Sequence, residues 1–184
     1  MSAPLPALFV SHGSPLHALD AGAAGEAWKS AAARLPRPRA ILMSSAHWET
    51  GVPVVQLSVQ LGLGPRHHFE LGRALAPLAG QGVLLFGSGH MTHNLRDRSD
   101  APPAGYVLQF QEWVDARIRN GEIDRLLDFR AQAPHAARAH PTDEHFLPLF
   151  FALGAAQAGA KPERLHAAVE SSALAMDAYL FANG

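Results

Sequence analysis

The chain contains no cysteine, which excludes disulfides, thiolate metal sites, iron–sulfur clusters and cysteine nucleophiles. Neither charge is in surplus: 15 Lys and Arg stand against 16 Asp and Glu, a formal net charge of −1. That balance supplies no attraction to nucleic acid or to an anionic membrane, and neither is expected as a partner. No apolar run reaches membrane-spanning length, and the N-terminus lacks a charged-then-apolar signal pattern. A cytoplasmic protein is the expectation. Tyrosine and tryptophan are scarce, at 2 and 3 residues, whereas histidine is abundant, at 11. Histidine is the commonest metal ligand and the side chain that titrates nearest neutral pH. With 184 residues, 48% apolar and 17% charged, the chain has the composition of one globular domain with a real core.

Short apolar runs alternate with longer helical ones. Ala7-Leu8-Phe9-Val10 reads as a strand closed by the turn Ser11-His12-Gly13-Ser14-Pro15. A helix is expected over 20–34, a buried strand over Arg39–Ser44 and a third strand over Pro53–Val59. Next come a helix from Arg66 to Leu78 and a fourth strand, Gly82–Gly87, opening into Ser88-Gly89-His90-Met91-Thr92-His93-Asn94-Leu95. Helices follow near 104–118, 122–132 and 144–157, and the tail from Ser171 to Phe181 reads as an edge strand or a short helix. This alternation predicts an α/β fold: a mostly parallel central sheet flanked by helices on both faces, in a single domain over 1–184.

Ligands of open α/β sheets bind at the carboxyl ends of the strands. Three strand ends here each present a histidine, His12, His47 and His93, and a fourth, His145, opens the helix after His140-Pro141-Thr142-Asp143-Glu144. Together they suggest a mononuclear, nitrogen-rich metal site with open positions for substrate. Each also has a plainer reading: His12 as a turn histidine bonded to backbone, His47 as a half-buried ring. His90 is close to His93 in sequence, but that spacing does not itself put both rings on one centre. His140 and Glu144 compete with His145 as ligands. His67 and His68 before a helix, and His17, His135 and His166 as surface positions, are assigned no role. Gly87-Ser88-Gly89 resembles a turn where backbone approaches a ligand closely, although it completes no dinucleotide or phosphate-loop motif. Ser11 and Ser14 lie in no nucleophile elbow.

In combination these blocks resemble a known family. Leu8-Phe9-Val10-Ser11-His12-Gly13-Ser14-Pro15, Ser45-Ala46-His47-Trp48, Pro53-Val54-Val55-Gln56-Leu57-Ser58, Gly87-Ser88-Gly89 followed by His93-Asn94-Leu95, and His140-Pro141-Thr142-Asp143-Glu144-His145-Phe146-Leu147-Pro148-Leu149 look like those of the class III extradiol ring-opening dioxygenases, in the 4,5-DOPA dioxygenase branch. The resemblance implies His12, His47 and His145 as metal ligands and His93 as a metal-proximal acid/base. It implies a catechol substrate opened by O2 at Fe(II), with Zn(II) able to occupy the same site. Two rival readings stand beside it. The Val10-to-Ser14 opening also looks like that of tetrapyrrole metal chelatases, which would not explain Glu144–Leu149. A non-catalytic metal-binding relative is the other.

One departure from the family is large. Relatives carry several tens of residues between the Ser-Ala-His-Trp-Glu-Thr block and the Val54 strand, whereas here only Gly51 and Val52 separate Thr50 from Pro53. A missing or disordered segment between Thr50 and Pro53 is therefore expected, in preference to a true internal deletion. A two-residue join permits a hairpin, whereas a parallel crossover takes a dozen residues or more.

Overall fold

A computed structural model describes residues 3–14, 17, 20, 22–45 and 54–182. In chain order the strands and α-helices are β1 (Ala7–Ser11), α1 (Gly22–Arg34), β2 (Ala40–Ser45), β3 (Val54–Ser58), α2 (Gly64–Leu75), β4 (Val83–Gly89), α3 (Gly105–Asn120), α4 (Ile123–Leu127), α5 (Phe129–Gln132), α6 (Ala136–Ala139), α7 (Leu147–Ala155), β5 (Lys161–His166), β6 (Val169–Glu170), β7 (Leu174–Ala175) and β8 (Ala178–Ala182). Six strands form one sheet in the order β3-β2-β4-β1-β8-β5. The first four are parallel, and β8 runs antiparallel to both β1 and β5. The short pair β6–β7 stands apart.

Register sorts the side chains onto two faces, because residues directly opposite each other on neighbouring strands point the same way. Phe9 lies beside Gly87 and Tyr179, and Gly87 beside Ser44. Tyr179 reaches Asp115 of α3, and Gly87 backs onto Pro148 of α7, so α3 and α7 cover this face. All nine residues of α7 are buried. A helix apolar all round belongs in the middle of a core, and α7 is held there by α2 on its outer side. The two backbones touch: a Cβ on Gly72 would strike the Phe151 carbonyl, and one on Gly154 the Phe69 carbonyl. The stripe Val107, Phe110, Val114 and Ile118 turns α3 onto the same core. On the opposite face, Arg34 of α1 pairs with Glu163 of β5, while Leu8, Ile41, Met43 and Phe86 are only half-buried. Helices thus flank the sheet on both faces, as expected.

Two local expectations change. The tail forms neither an edge strand nor a helix: β8 is an interior strand, and the edge belongs to β5, whose Lys-Pro-Glu-Arg run carries no strand pattern. The region 122–132 holds two short helices, α4 and α5, interrupted at Asp128. β2 and β3 are parallel, as a mostly parallel sheet requires, with Ile41 beside Val54 and Ser45 beside Ser58. The eight residues 46–53 between them lie outside the described residues, as does the segment expected between Thr50 and Pro53. Among the described residues no helix is long and apolar enough to cross a membrane.

Candidate metal centre

Strands β1 and β4 run side by side and end together, with Ser11 opposite Gly89. The next residue of each, His12 and His90, therefore emerges at the same carboxyl edge, with ring centroids 5.2 Å apart. The His12 amide donates to the Gly89 carbonyl at 3.0 Å, and its Nδ1 shares a 3.0 Å hydrogen bond with Ser88 Oγ. A hydrogen bond on one imidazole nitrogen fixes the ring's orientation, the kind of support that metal-ligating histidines have.

Beyond β4 the chain is fastened residue by residue. The Met91 amide donates to Ser11 Oγ at 3.1 Å, and Thr92 Oγ1 donates to the Ala173 carbonyl at 2.8 Å. The His93 amide donates to Ala139, and the Asn94 side chain donates to the Arg138 carbonyl. His93 thus sits, half-buried, on backbone anchored at both ends.

His145 arrives from the turn before α7, and its approach depends on the strand beneath it. A Cβ on Gly89 would strike the His145 carbonyl, and one on Gly87 the Pro148 carbonyl. With neither present, the His145 carbonyl accepts a 2.6 Å hydrogen bond from the His90 amide. The Gly87-Ser88-Gly89 reading is thereby corrected. These residues end a strand, and the bare backbone admits α7 instead of a ligand. The His145 ring stacks on His93, centroids 3.5 Å apart and 14° from parallel, and lies 5.6 Å from His12 and 6.0 Å from His90. Its Nδ1 donates to Glu144 Oε1 at 3.3 Å, which fixes the ring's tautomer. Burial alone would raise the Glu144 carboxyl, but hydrogen bonds from Thr142, its own backbone and His145 outweigh it and hold the group below the usual range.

Donor atoms of His93, Glu144 and His145 all lie within 4.8 Å of one another. Imidazole with carboxylate is a donor set that suits first-row divalent metals. The residues present therefore fit a metal ion. Of the expected ligands, the structure brings His145 into this cluster and His12 to its border, while His47 lies outside the described residues. His93 belongs to the cluster by distance as well as by expected role.

His90 belongs here too, although its spacing gave no reason to place it. Its Nε2 accepts from the Gly13 amide at 3.1 Å, so its proton resides on Nδ1. Burial, then the neighbouring His12, His93 and His145, push its pKa well below the ordinary value. His140, once a rival ligand, is structural. It is fully buried, stacked on Phe146, and donates from Nε2 to the Met91 carbonyl at 2.8 Å. Burial holds its pKa at about 3. His68 is buried inside α2, bonded to Gly64 and Gln60. His17 approaches Gly13 and donates to Glu170 at 3.1 Å.

Residues 48–182, which include His93, Glu144 and His145, match the family described as the catalytic LigB subunit of aromatic ring-opening dioxygenase. This chain belongs to the LigB family. Proteins named 4,5-DOPA dioxygenase extradiol from Beta vulgaris and Portulaca grandiflora are 38% and 39% identical to it over 138 and 140 residues. Those alignments take in 72% of this chain and 50% of each relative, so the LigB-family chain spans about half the length of these curated relatives. A protein of the same name from Escherichia coli K12 is 26% identical over 231 residues, covering 82% of this chain and 85% of its own. The crystal structure of an uncharacterized E. coli K12 protein superposes with a TM-score of 0.86 at 25% identity, over 96% of this chain and 99% of that one.

Proposed function

We propose that this LigB-family chain is an extradiol dioxygenase that opens the ring of a catechol with O2, its metal held by His12, His47 and His145. The observation that supports this most is the convergence of His12, His93 and His145, with Glu144, at the carboxyl edge of a parallel sheet. When bound, Fe(II) supplies the Lewis acidity that eases catechol deprotonation and the redox capacity to engage O2, whereas Zn(II) on the same ligands supplies only the first.

The protein's own residues do the rest. Ser88 holds the His12 ring, and Glu144 fixes the tautomer of His145 by accepting a hydrogen bond from its Nδ1–H. His93 takes a catechol proton and later returns it, a step worth roughly 10²–10⁴ in rate. The anchored His93 and Asn94 backbone keeps that imidazole in place between the two transfers, so no reorganisation is needed. The test loads the purified chain with Fe(II) anaerobically and follows O2 uptake with a catechol, for the parent and His93→Ala. The expected result is unchanged metal content with turnover lowered at least 100-fold. Equal turnover in the variant removes His93 from the mechanism.

Two observations bear on a second reading. The E. coli relative contributes 231 residues against 82% of 184 here, so roughly 80 of its positions have no counterpart in this chain. The eight residues joining parallel β2 and β3 are also fewer than a parallel crossover commonly takes. Both fit the proposal that a segment is missing between Thr50 and Pro53. If the deletion is real instead, a non-catalytic metal-binding relative would retain metal yet consume no O2. Intact mass separates the cases: 19.6 kDa makes the deletion real and favours the non-catalytic reading, and several kDa more restores a pocket wall and favours the enzyme.

A further inference from the structure

A cavity of about 640 Å³ opens at the pole of the sheet opposite the histidines, among the amino ends of β1, β2 and β4. Its volume is that of a small-molecule site. Leu5, Leu35, Pro36 and Leu180 supply apolar walls, and the last residue of α1 with the loop to β2 supplies three arginines in six residues, Arg34-Leu-Pro-Arg37-Pro-Arg39. These charges are unequal. Arg34 is neutralised by a two-pronged pair with Glu163, at 3.1 and 2.9 Å. Arg37 and Arg39 carry no acidic partner among the described residues, in a protein whose net charge is −1.

The loop is built to hold them. Pro36 and Pro38 limit its freedom before any ligand arrives. The Arg39 amide donates to the Gly82 carbonyl at 2.8 Å, and the Arg39 stem lies flat over Gly82, where a Cβ would press on its Cγ and Cδ at 3.2 Å. Gly82 itself sits at φ +81°, a conformation that already favours glycine. The backbone thus clears a bed for one guanidinium stem at the cavity lip. Guanidinium groups pair carboxylates through two parallel hydrogen bonds, and they do so best beside apolar surface.

From this geometry we propose that the cavity is a second ligand site, distinct from the metal centre, for a small organic anion with an apolar body, an aryl carboxylate in chemical class. Arg37 and Arg39 take the carboxylate, and Leu5, Leu35 and Leu180 take the ring. The site reads charge and an apolar body together, so neither inorganic phosphate nor a neutral arene satisfies it.

Calorimetric titration of the full chain tests this with naphthalene-2-carboxylate as probe, alongside naphthalene-2-methanol and inorganic phosphate. The expected result is saturable binding of one carboxylate per chain, weakened at least tenfold in the Arg37→Gln/Arg39→Gln double variant. Both other probes bind at least tenfold more weakly. Both substitutions are on exposed side chains, and a thermal melt confirms that the variant is folded. His12→Ala serves as the second arm and leaves the affinity unchanged. The proposal is overturned by equal affinity in the double variant, by equal binding of the alcohol or of phosphate, by loss of binding in His12→Ala, or by no saturable binding.

Discussion

The imidazole rings of His93 and His145 lie face to face, 3.5 Å between centroids and 14° from parallel, although 52 positions separate them in the chain. The first is carried by a loop tied to Ala139 and Arg138, the second by a turn hung from the His90 amide. The stack is therefore a product of two backbone attachments, and the attachments are the places where it breaks.

Gly89 is the first such place. A methyl group there collides with the His145 carbonyl, which is main chain and cannot swing aside. Gly89→Ala is expected to cost about 1–3 kcal/mol, the usual toll of overpacking a close contact, and to lower Tm by several degrees. Because the turn carrying His145 must move, metal affinity falls as well. Thermal melts and metal titration of the variant check both, and a melt within 1 °C of the parent contradicts the packing described.

Ser88 acts on orientation alone. Removing its hydroxyl takes the partner from His12 Nδ1 and leaves the His12 backbone bond to Gly89 intact. Ser88→Ala is expected to weaken metal binding about 10–100-fold, as loss of such a supporting bond does. The fold should persist, so circular dichroism remains unchanged while competition with a chelator shows the loss. Unaltered metal affinity would detach His12 from the centre.

Acid should unfold the protein through its buried histidines. His140 is held near pKa 3 by burial, and His68 and His90 are shifted in the same direction. Unfolding lets each take up a proton near pH 6.5, so stability is fully present above pH 6.5 and is lost as pH falls towards 3. Asp177 opposes this. Burial raises its carboxyl to about 6 against Arg164 and Gln111, so its contribution is greatest at acid pH and is lost as pH rises through 6. Asp177→Asn removes the opposing trend. Urea melts between pH 4.5 and 7.5 are expected to show a steeper acid loss in the variant than in the parent. A shallower slope would reverse the assignment.

The sequence carried most of this fold in its apolar runs: β1, β2, β3 and β4 stand within two residues of where Ala7–Val10, Arg39–Ser44, Pro53–Val59 and Gly82–Gly87 place them. It carried less where one signal serves two purposes. Paired glycines around Ser88 mark close approach, but only the fold reveals that the approaching group is α7 rather than a ligand. β5 is an exposed edge with lysine, proline and glutamate, and its pattern cannot be told from a loop. His90 joins the centre because β1 and β4 are neighbours in register, a fact of topology absent from local spacing. His140 and His145 share a motif, yet one points into Phe146 and the other towards His93.

Ring opening by a dioxygenase places both atoms of one O2 in one product molecule. The most direct measurement is therefore turnover of a catechol by the Fe(II)-loaded chain under ¹⁸O2, with the product analysed by mass spectrometry before its oxygens exchange with water. The proposed activity predicts a ring-opened product carrying two labelled oxygens, formed one for one with O2 consumed. A product with one label or none, or metal-loaded protein that consumes no O2 with any catechol, would contradict it.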